Sequence, residues 1–221
     1  MITINHKPFE VVNPDDPYWT WVANGSYDHE WSVYDKYLKP EHTFIDLGAW
    51  IGSHSMYASL TAKKVIALEP DPAAHDILVR NLGLLNPRPE VSVLPYAVSN
   101  ADEVELGSAA LGASTTRKNQ DAGNHIGAAD PNLSFKAKGI TLRTLFQTVN
   151  RPVFVKMDIE GMEEEVFQDW KLFHEFKPVV FVEFHPWWWK DEALTRRDFA
   201  KLSNNYQTIL EIKSGLYLLL P

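Results

Sequence analysis

The sequence predicts an α/β fold: a mostly parallel β-sheet with helices on both faces and a C-terminal antiparallel hairpin. Three observations predict it. Short apolar runs stopped by glycine or proline alternate along the chain with stretches of helical periodicity. Carboxylates close several of those runs, at Asp46, Glu69, Asp158 and Glu183. The last residues read as two strands around Lys213-Ser214-Gly215.

The elements follow in order. Residues 1–26 carry turn formers at Asn13-Pro14-Asp15-Asp16-Pro17 and Asn24-Gly25 and read as an irregular cap. Tyr27 to Leu38 places Trp31, Tyr34 and Leu38 at helical spacing, and Pro40 ends the helix. Thr43 to Leu47 is a buried strand stopped by Gly48, and Ser53 to Leu60 a helix. Lys64 to Glu69 is a second strand stopped by Pro70, and Pro72 to Leu85 a helix opened by its proline. Val91–Leu94, Val153–Met157 and Val179–Phe184 are further strands, with a helix over Met162–Trp170. Gln207–Ile212 and Leu216–Leu220 form the hairpin, expected to add an antiparallel strand at one edge. No repeat or low-complexity linker divides the chain. Residues 1–221 are expected to be one domain: an N-terminal cap and helix over 1–40 and the α/β core over 41–221.

Composition narrows the function. The 221 residues are 45% hydrophobic, enough for a sizeable core. A net charge of −8 gives no general attraction to phosphate backbones, so nucleic acid is not the expected partner. Without cysteine there are no disulfides, thiolate metal sites or cysteine nucleophiles. Met1 to Glu10 has no signal-type apolar run, and no stretch approaches the roughly 18 apolar residues of a membrane span. A cytoplasmic protein without membrane contact is the expectation.

In an open parallel sheet, ligands bind beyond the carboxyl ends of the strands. The first such turn reads Asp46-Leu47-Gly48-Ala49-Trp50-Ile51-Gly52, and its glycines allow a tight bend and close approach to a ligand. Ser53 opens the following helix, whose first N–H groups are free of helical partners. Glu69 lies 23 residues after Asp46, where a carboxylate can accept from both hydroxyls of a ribose. The dinucleotide fingerprint is G-x-G-x-x-G, whereas this turn is G-x-x-x-G with an aspartate beside it. Asp46 would repel a pyrophosphate and attract the ammonium and sulfonium of a methionine moiety. That charge argument favours S-adenosyl-L-methionine. Ala49, Ser53 and Pro70 border the same pocket. Tyr96 and Ala97, after the third strand, stand where adenine would lie, although Tyr96 reads equally well as core.

These residues resemble the FkbM family of S-adenosylmethionine-dependent methyltransferases. The match lies in Phe44-Ile45-Asp46-Leu47-Gly48-Ala49 with Gly52, and in Ala67-Leu68-Glu69-Pro70. It continues in Val155-Lys156-Met157-Asp158-Ile159-Glu160-Gly161 with Glu163, and in Val182-Glu183-Phe184-His185. It spans about residues 27 to 185. The resemblance implies a seven-stranded, Rossmann-like class I methyltransferase fold. It also implies methylation of a hydroxyl, often on a sugar or polyketide-type small molecule. Family members usually carry asparagine where this chain has Trp50.

The acceptor side follows from the later strands. Asp158 ends the fourth strand across the switch point and is expected to face the transferring methyl, touching cofactor and acceptor. Lys156, two residues earlier, shares its face. These two either take part in catalysis or form a network that orients the loop. His185 is the expected general base, since histidine titrates near neutrality, and Glu183 stands two residues before it. Asp158, Glu183 and His185 also form a set of oxygen and nitrogen donors, but no metal is assigned to them. Trp187-Trp188-Trp189 cannot all face one core. At least one is expected at a substrate rim or a subunit contact, which leaves a homodimer open. Residues 112–139 read as a substrate lid, with Ser114, Thr115 or Arg117 touching the acceptor. Asn13-Pro14-Asp15-Asp16-Pro17-Tyr18 resembles the proline–aromatic motif of amino methyltransferases, but stands far from the fourth strand where that motif belongs. The expected activity is therefore O-methylation. A nicotinamide oxidoreductase on a similar sheet and a non-catalytic cofactor-binding domain are the alternatives.

Overall fold

The computed structural model describes residues 1–86, 90–108, 114–115 and 134–221. The chain opens with a hairpin, β1 (Ile2–Ile4) and β2 (Lys7–Phe9), then α1 (Pro17–Ala23) and α2 (Asp28–Tyr37). The alternating part begins with β3 (Thr43–Leu47), α3 (Ser53–Ala58), β4 (Lys64–Leu68), α4 (Pro72–Gly83) and β5 (Val91–Leu94). Next come β6 (Tyr96–Val98), β7 (Glu103–Ser108), β8 (Ser114–Thr115) and β9 (Ser134–Ile140). Alternation resumes with α5 (Leu142–Gln147), β10 (Val153–Met157), α6 (Glu163–Gln168), α7 (Trp170–Phe176) and β11 (Val179–Glu183). α8 (Glu192–Ser203) leads to the hairpin of β12 (Thr208–Lys213) and β13 (Leu216–Leu220).

Seven strands form the main sheet in the order β12-β13-β11-β10-β3-β4-β5. The pairs β11–β10, β10–β3, β3–β4 and β4–β5 are parallel. β13 runs antiparallel to both β11 and β12. The antiparallel strand therefore lies one place inside the edge and not at it, because the turn at Lys213–Gly215 folds β13 back between β12 and β11. Strand order reverses between β3 and β10, which sets the ligand cleft at their carboxyl ends.

Both faces of the sheet are covered, and period two decides which side chain goes where. Phe44, Phe154 and Phe181 point to one face, where α2 brings Trp31 and Tyr34 and the first hairpin brings Ile2, Ile4 and Phe9. Ile45, Leu47, Val155, Met157, Val180 and Val182 point to the other, under Phe146, Val166, Phe173 and Leu202. Asp46 and Lys156 are register partners on the phenylalanine face. Two polar residues are thus set side by side inside a core.

Several elements differ from the sequence reading. The first 26 residues are not irregular. β1 and β2 turn at Asn5 and His6, both at positive φ, without the glycine that usually marks such a turn. α1 starts at Pro17 behind the Asp16 cap. α8 escapes periodicity because its buried face includes Thr195, Asp198 and Ser203 beside Leu202. Asp169 divides the helix expected at 162–170 into α6 and α7. A second sheet, in the order β6-β9-β7-β8, flanks the third strand's end. Part of it falls within residues 112–139, where Ser114–Thr115 and the residues from Ser134 on are strands. The rest of the lid reading, Arg117 included, lies outside the described residues. No helix among the described residues is long and apolar enough to cross a membrane.

Candidate active site

The β3–α3 turn sets the floor of a cleft of about 430 Å³. Gly48 has φ +77°, and a Cβ there would collide with the carbonyl oxygen of Asp158. The turn thus packs directly on the end of β10, which only glycine permits. Trp50 also has positive φ, +47°, a region that asparagine enters far more readily than a bulky residue. Its N–H donates to Glu69 Oε2 at 2.8 Å, and Tyr18 meets its ring edge-on at 4.6 Å.

Gly48, Ala49, Trp50 and Ser53 line the cleft, as do Glu69, Pro70, Tyr96 and Ala97. On the opposite side stand Lys156, Asp158, Glu160, Glu183 and His185. Two predicted contacts are not on its surface. Asp46 is fully buried, and its Oδ2 accepts from Ser55 Oγ at 2.7 Å while Oδ1 lies 3.3 Å from Lys156 Nζ. The expectation that Asp46 meets the ligand's ammonium is corrected: the inward pleat of β3 places its carboxylate beneath the turn. Gly52 likewise acts behind the cleft. It caps α3 at φ +97°, and a Cβ there would crowd Leu78 at 2.6 Å.

Glu69 ends β4 with both oxygens fixed, since Asp71 N–H donates to Oε1 and Trp50 N–H to Oε2. Burial raises its pKa to about 8, partly offset by those two donors. Lys156 is 4% exposed. It donates to Gly48 O at 2.8 Å and lies 3.5 Å from Asp158 Oδ2. Burial opposes its charge, but Asp46 and Asp158 outweigh burial and hold it above the ordinary lysine range. Of the two sequence readings for Lys156, the geometry matches the orienting network, not a freely reacting amine.

His185 is surrounded by acid. Its Nδ1–H donates to Glu163 Oε1 at 3.0 Å. Nε2 lies 3.5 Å from Asp158 Oδ1 and 3.7 Å from Glu160 Oε2. Burial would lower its pKa, but the bond to Glu163 and the charges of Glu163, Asp158 and Glu160 raise it to about 10. The surrounding carboxylates thus favour the protonated form of His185 over the neutral general base expected from sequence. Glu163 is itself fully buried and accepts from Gly161 N–H and Trp189 Nε1–H. Trp188 is buried as well and donates to Glu160, whereas Trp187 is half exposed.

Lining residues that sequence reasoning missed come from the N-terminal segment, at Tyr18, Trp21, Tyr27 and Glu30, and from α3, at His54. Tyr18 Oη and Ser53 Oγ are 2.5 Å apart, and Tyr34 Oη lies 2.8 Å from His54 Nδ1. Burial raises Glu30 to about 8, with Glu183 and Asp158 adding to the effect. Only the packing of α1 and α2 over the turn brings Tyr18, Trp21, Tyr27 and Glu30 to the cleft, and no local spacing signals it.

The strand order is that of class I S-adenosylmethionine-dependent methyltransferases. Among solved structures, a candidate rRNA methylase from Clostridium thermocellum aligns with a TM-score of 0.52 at 10% identity, covering 88% of this chain and 93% of that one. A candidate methyltransferase from Streptococcus mutans, solved with SAH, aligns at 0.49 and 13% identity over 88% and 94%. A candidate RNA methyltransferase from Pyrococcus horikoshii aligns at 0.43 and 16% identity over 99% and 91%. No curated protein matches the chain significantly. The family model for the methyltransferase FkbM domain matches residues 46–212. That span holds the glycine turn, Glu69, Lys156, Asp158, Glu183 and His185, and the chain belongs to the FkbM family of S-adenosylmethionine-dependent methyltransferases.

Proposed function

We propose that the chain methylates a hydroxyl oxygen of a small molecule or sugar. The observation that carries this reading is the division of one cleft into two chemically different sides. The β3–β4 side offers a locked carboxylate at Glu69 beside Pro70, Tyr96 and Ala97. The β10–β11 side offers Asp158, Glu183 and His185.

S-adenosylmethionine fits the first side, and when bound it supplies a methyl on a positively charged sulfur. Glu69 accepts from the ribose hydroxyls through lone pairs not used by Trp50 and Asp71. Pro70, Tyr96 and Ala97 flank the adenine. Glu30 gives the cationic end an acidic neighbour. Asp46 acts at one remove, holding the turn through Ser55 and Lys156. The second side would hold the acceptor hydroxyl against the methyl group for an in-line displacement. As the oxygen–methyl bond forms, Asp158 accepts the hydroxyl proton. His185 is a positioning residue that keeps Asp158 aimed, and Glu183 orients the acceptor. Tyr18, Trp21 and Tyr27 supply aromatic surface suited to sugar faces and flat rings. An acidic cleft in a chain of charge −8 is poorly matched to an RNA backbone. A second copy of the chain is not required for any of these contacts.

The test is an isotope-labelled methyl donor offered with hydroxylated small molecules, sugars and an RNA transcript, read by mass spectrometry. Label on a hydroxyl of a small acceptor supports the reading. Label on RNA alone, or on nitrogen, replaces it.

Glu69 also makes a pH prediction. Its carboxyl is mostly neutral below about pH 8 in the free protein, with Asp71 raising and Lys156 lowering the value beside the dominant burial. Accepting from two ribose hydroxyls needs the ionised form, so binding must release a proton. Affinity for S-adenosylhomocysteine should rise from about pH 6 to about pH 8 by up to tenfold per unit. Titration calorimetry in buffers of different ionisation enthalpy should detect the proton, and Glu69→Gln should abolish the release. A flat profile and no proton release would show that Glu69 is already ionised.

A further inference from the structure

We infer that Asp158, Glu183 and His185 form a binding site for one divalent first-row metal cation of the Mn²⁺ class. The inference goes beyond methyl transfer, since it concerns what these side chains bind whatever the acceptor is. β10 and β11 are adjacent and parallel, with Met157 registered to Val182. The next residues, Asp158 and Glu183, therefore leave the sheet side by side. His185 follows Glu183 by two, which returns its side chain to the same side. One oxygen from each carboxylate and one ring nitrogen lie within 4.8 Å of one another. Ligands at about 2.0–2.2 Å from a common ion stand up to roughly 4.4 Å apart. Small rotations of the two carboxylates close that difference.

The orientation of His185 is an independent observation. The residue is 5% exposed, and Nδ1 is tied to the fully buried Glu163 at 3.0 Å. Nε2 is thereby the nitrogen aimed at the cleft. It stands 3.5 Å from Asp158 Oδ1 and 3.7 Å from Glu160 Oε2, beyond good hydrogen-bond distance from either. An imidazole fixed through one nitrogen by a buried carboxylate, with the other facing acidic oxygens, is how metal-ligating histidines are held. Lys156 approaches Asp158 at Oδ2, which leaves Oδ1 on the Nε2 side. One imidazole with two carboxylates, and no thiolate, suits Mn²⁺, Fe²⁺ or Zn²⁺ better than Ca²⁺. Coordination at Nε2 displaces the proton that nitrogen carries to solvent, so the metal-bound cluster and the cleft with a protonated His185 are alternative states of one site, and Asp158 serves as a free proton acceptor only in the metal-free state.

The experiment uses the full chain, stripped with chelator, and Mn²⁺ alone as the probe. Electron paramagnetic resonance should count one Mn²⁺ per chain, bound in the micromolar range. Pulsed measurements on the same sample should show coupling to one imidazole ¹⁴N. His185→Gln should remove that coupling and weaken binding at least about tenfold, and Glu183→Gln should weaken binding while keeping the coupling. Glu90→Gln, an exposed carboxylate paired with Lys64 at the other end of the sheet, should change neither. No binding below millimolar Mn²⁺ would overturn the site, as would bound Mn²⁺ without ¹⁴N coupling. The coupling is read on the wild-type protein, so the outcome stands whether or not a variant folds.

Discussion

Asp158→Asn should lower turnover by about 10²- to 10⁴-fold, the range for a lost proton acceptor, and leave affinity for S-adenosylhomocysteine nearly unchanged. Asparagine keeps the shape of the side chain and loses its charge. Lys156 keeps its bond to Gly48 O and its pairing with Asp46, so the turn that holds the cofactor side stays in place. Rate at saturating donor, donor affinity and melting temperature should be measured together. A parallel loss of affinity and rate would instead place Asp158 among the groups that hold the cofactor. An unchanged rate would remove it from the chemistry and leave Glu160 or Glu183 as the proton acceptor.

Lys156→Met should be the most destabilising single change at the site. The substitution removes the cation from between Asp46 and Asp158 and leaves Asp46 with a buried, uncompensated charge. Breaking one partner of a buried pair typically costs about 3–5 kcal/mol. For a chain of this size that is a fall in Tm of roughly 6–20 °C, at about 2–4 °C per kcal/mol. The partner change tests the cause. Asp46→Leu placed on Lys156→Met removes the orphaned charge and should recover a large part of the loss, because an apolar pair of similar volume tolerates the same surroundings. Additive losses in the double variant, measured by denaturant unfolding, would show that the two residues act separately.

The main sheet was readable because its strands are short, apolar and punctuated by glycine or proline. Gly48 after β3 and Pro70 after β4 mark where the chain turns toward the ligand. The carboxylates were readable for the same reason: a charged residue at the end of a buried run stands out. Their division of labour was not. Asp46 and Glu69 look alike in sequence, yet the pleat sends one under the turn and leaves the other in the cleft. His185 reads as a neutral base until Glu163, 22 residues earlier, is seen bonded to it at 3.0 Å. The N-terminal wall was hidden more completely. Tyr18, Tyr27 and Glu30 reach the cleft only through docking of α1 and α2, an event no local pattern encodes. α8 was hidden by the polar residues on its buried face, and the hairpin of β1 and β2 by a turn made of Asn5 and His6.

The most direct test of the cleft's two sides is calorimetric titration of S-adenosylhomocysteine, with NAD as the competing ligand, into wild-type and Glu69→Ala protein at about pH 8. S-adenosylhomocysteine should bind the wild type at one site and NAD should not bind. Glu69→Ala should weaken the binding by about 1–3 kcal/mol, the scale of hydrogen bonds lost to a charged group. Equal affinity in the two proteins would contradict the placement of the cofactor over the ends of β3 and β4.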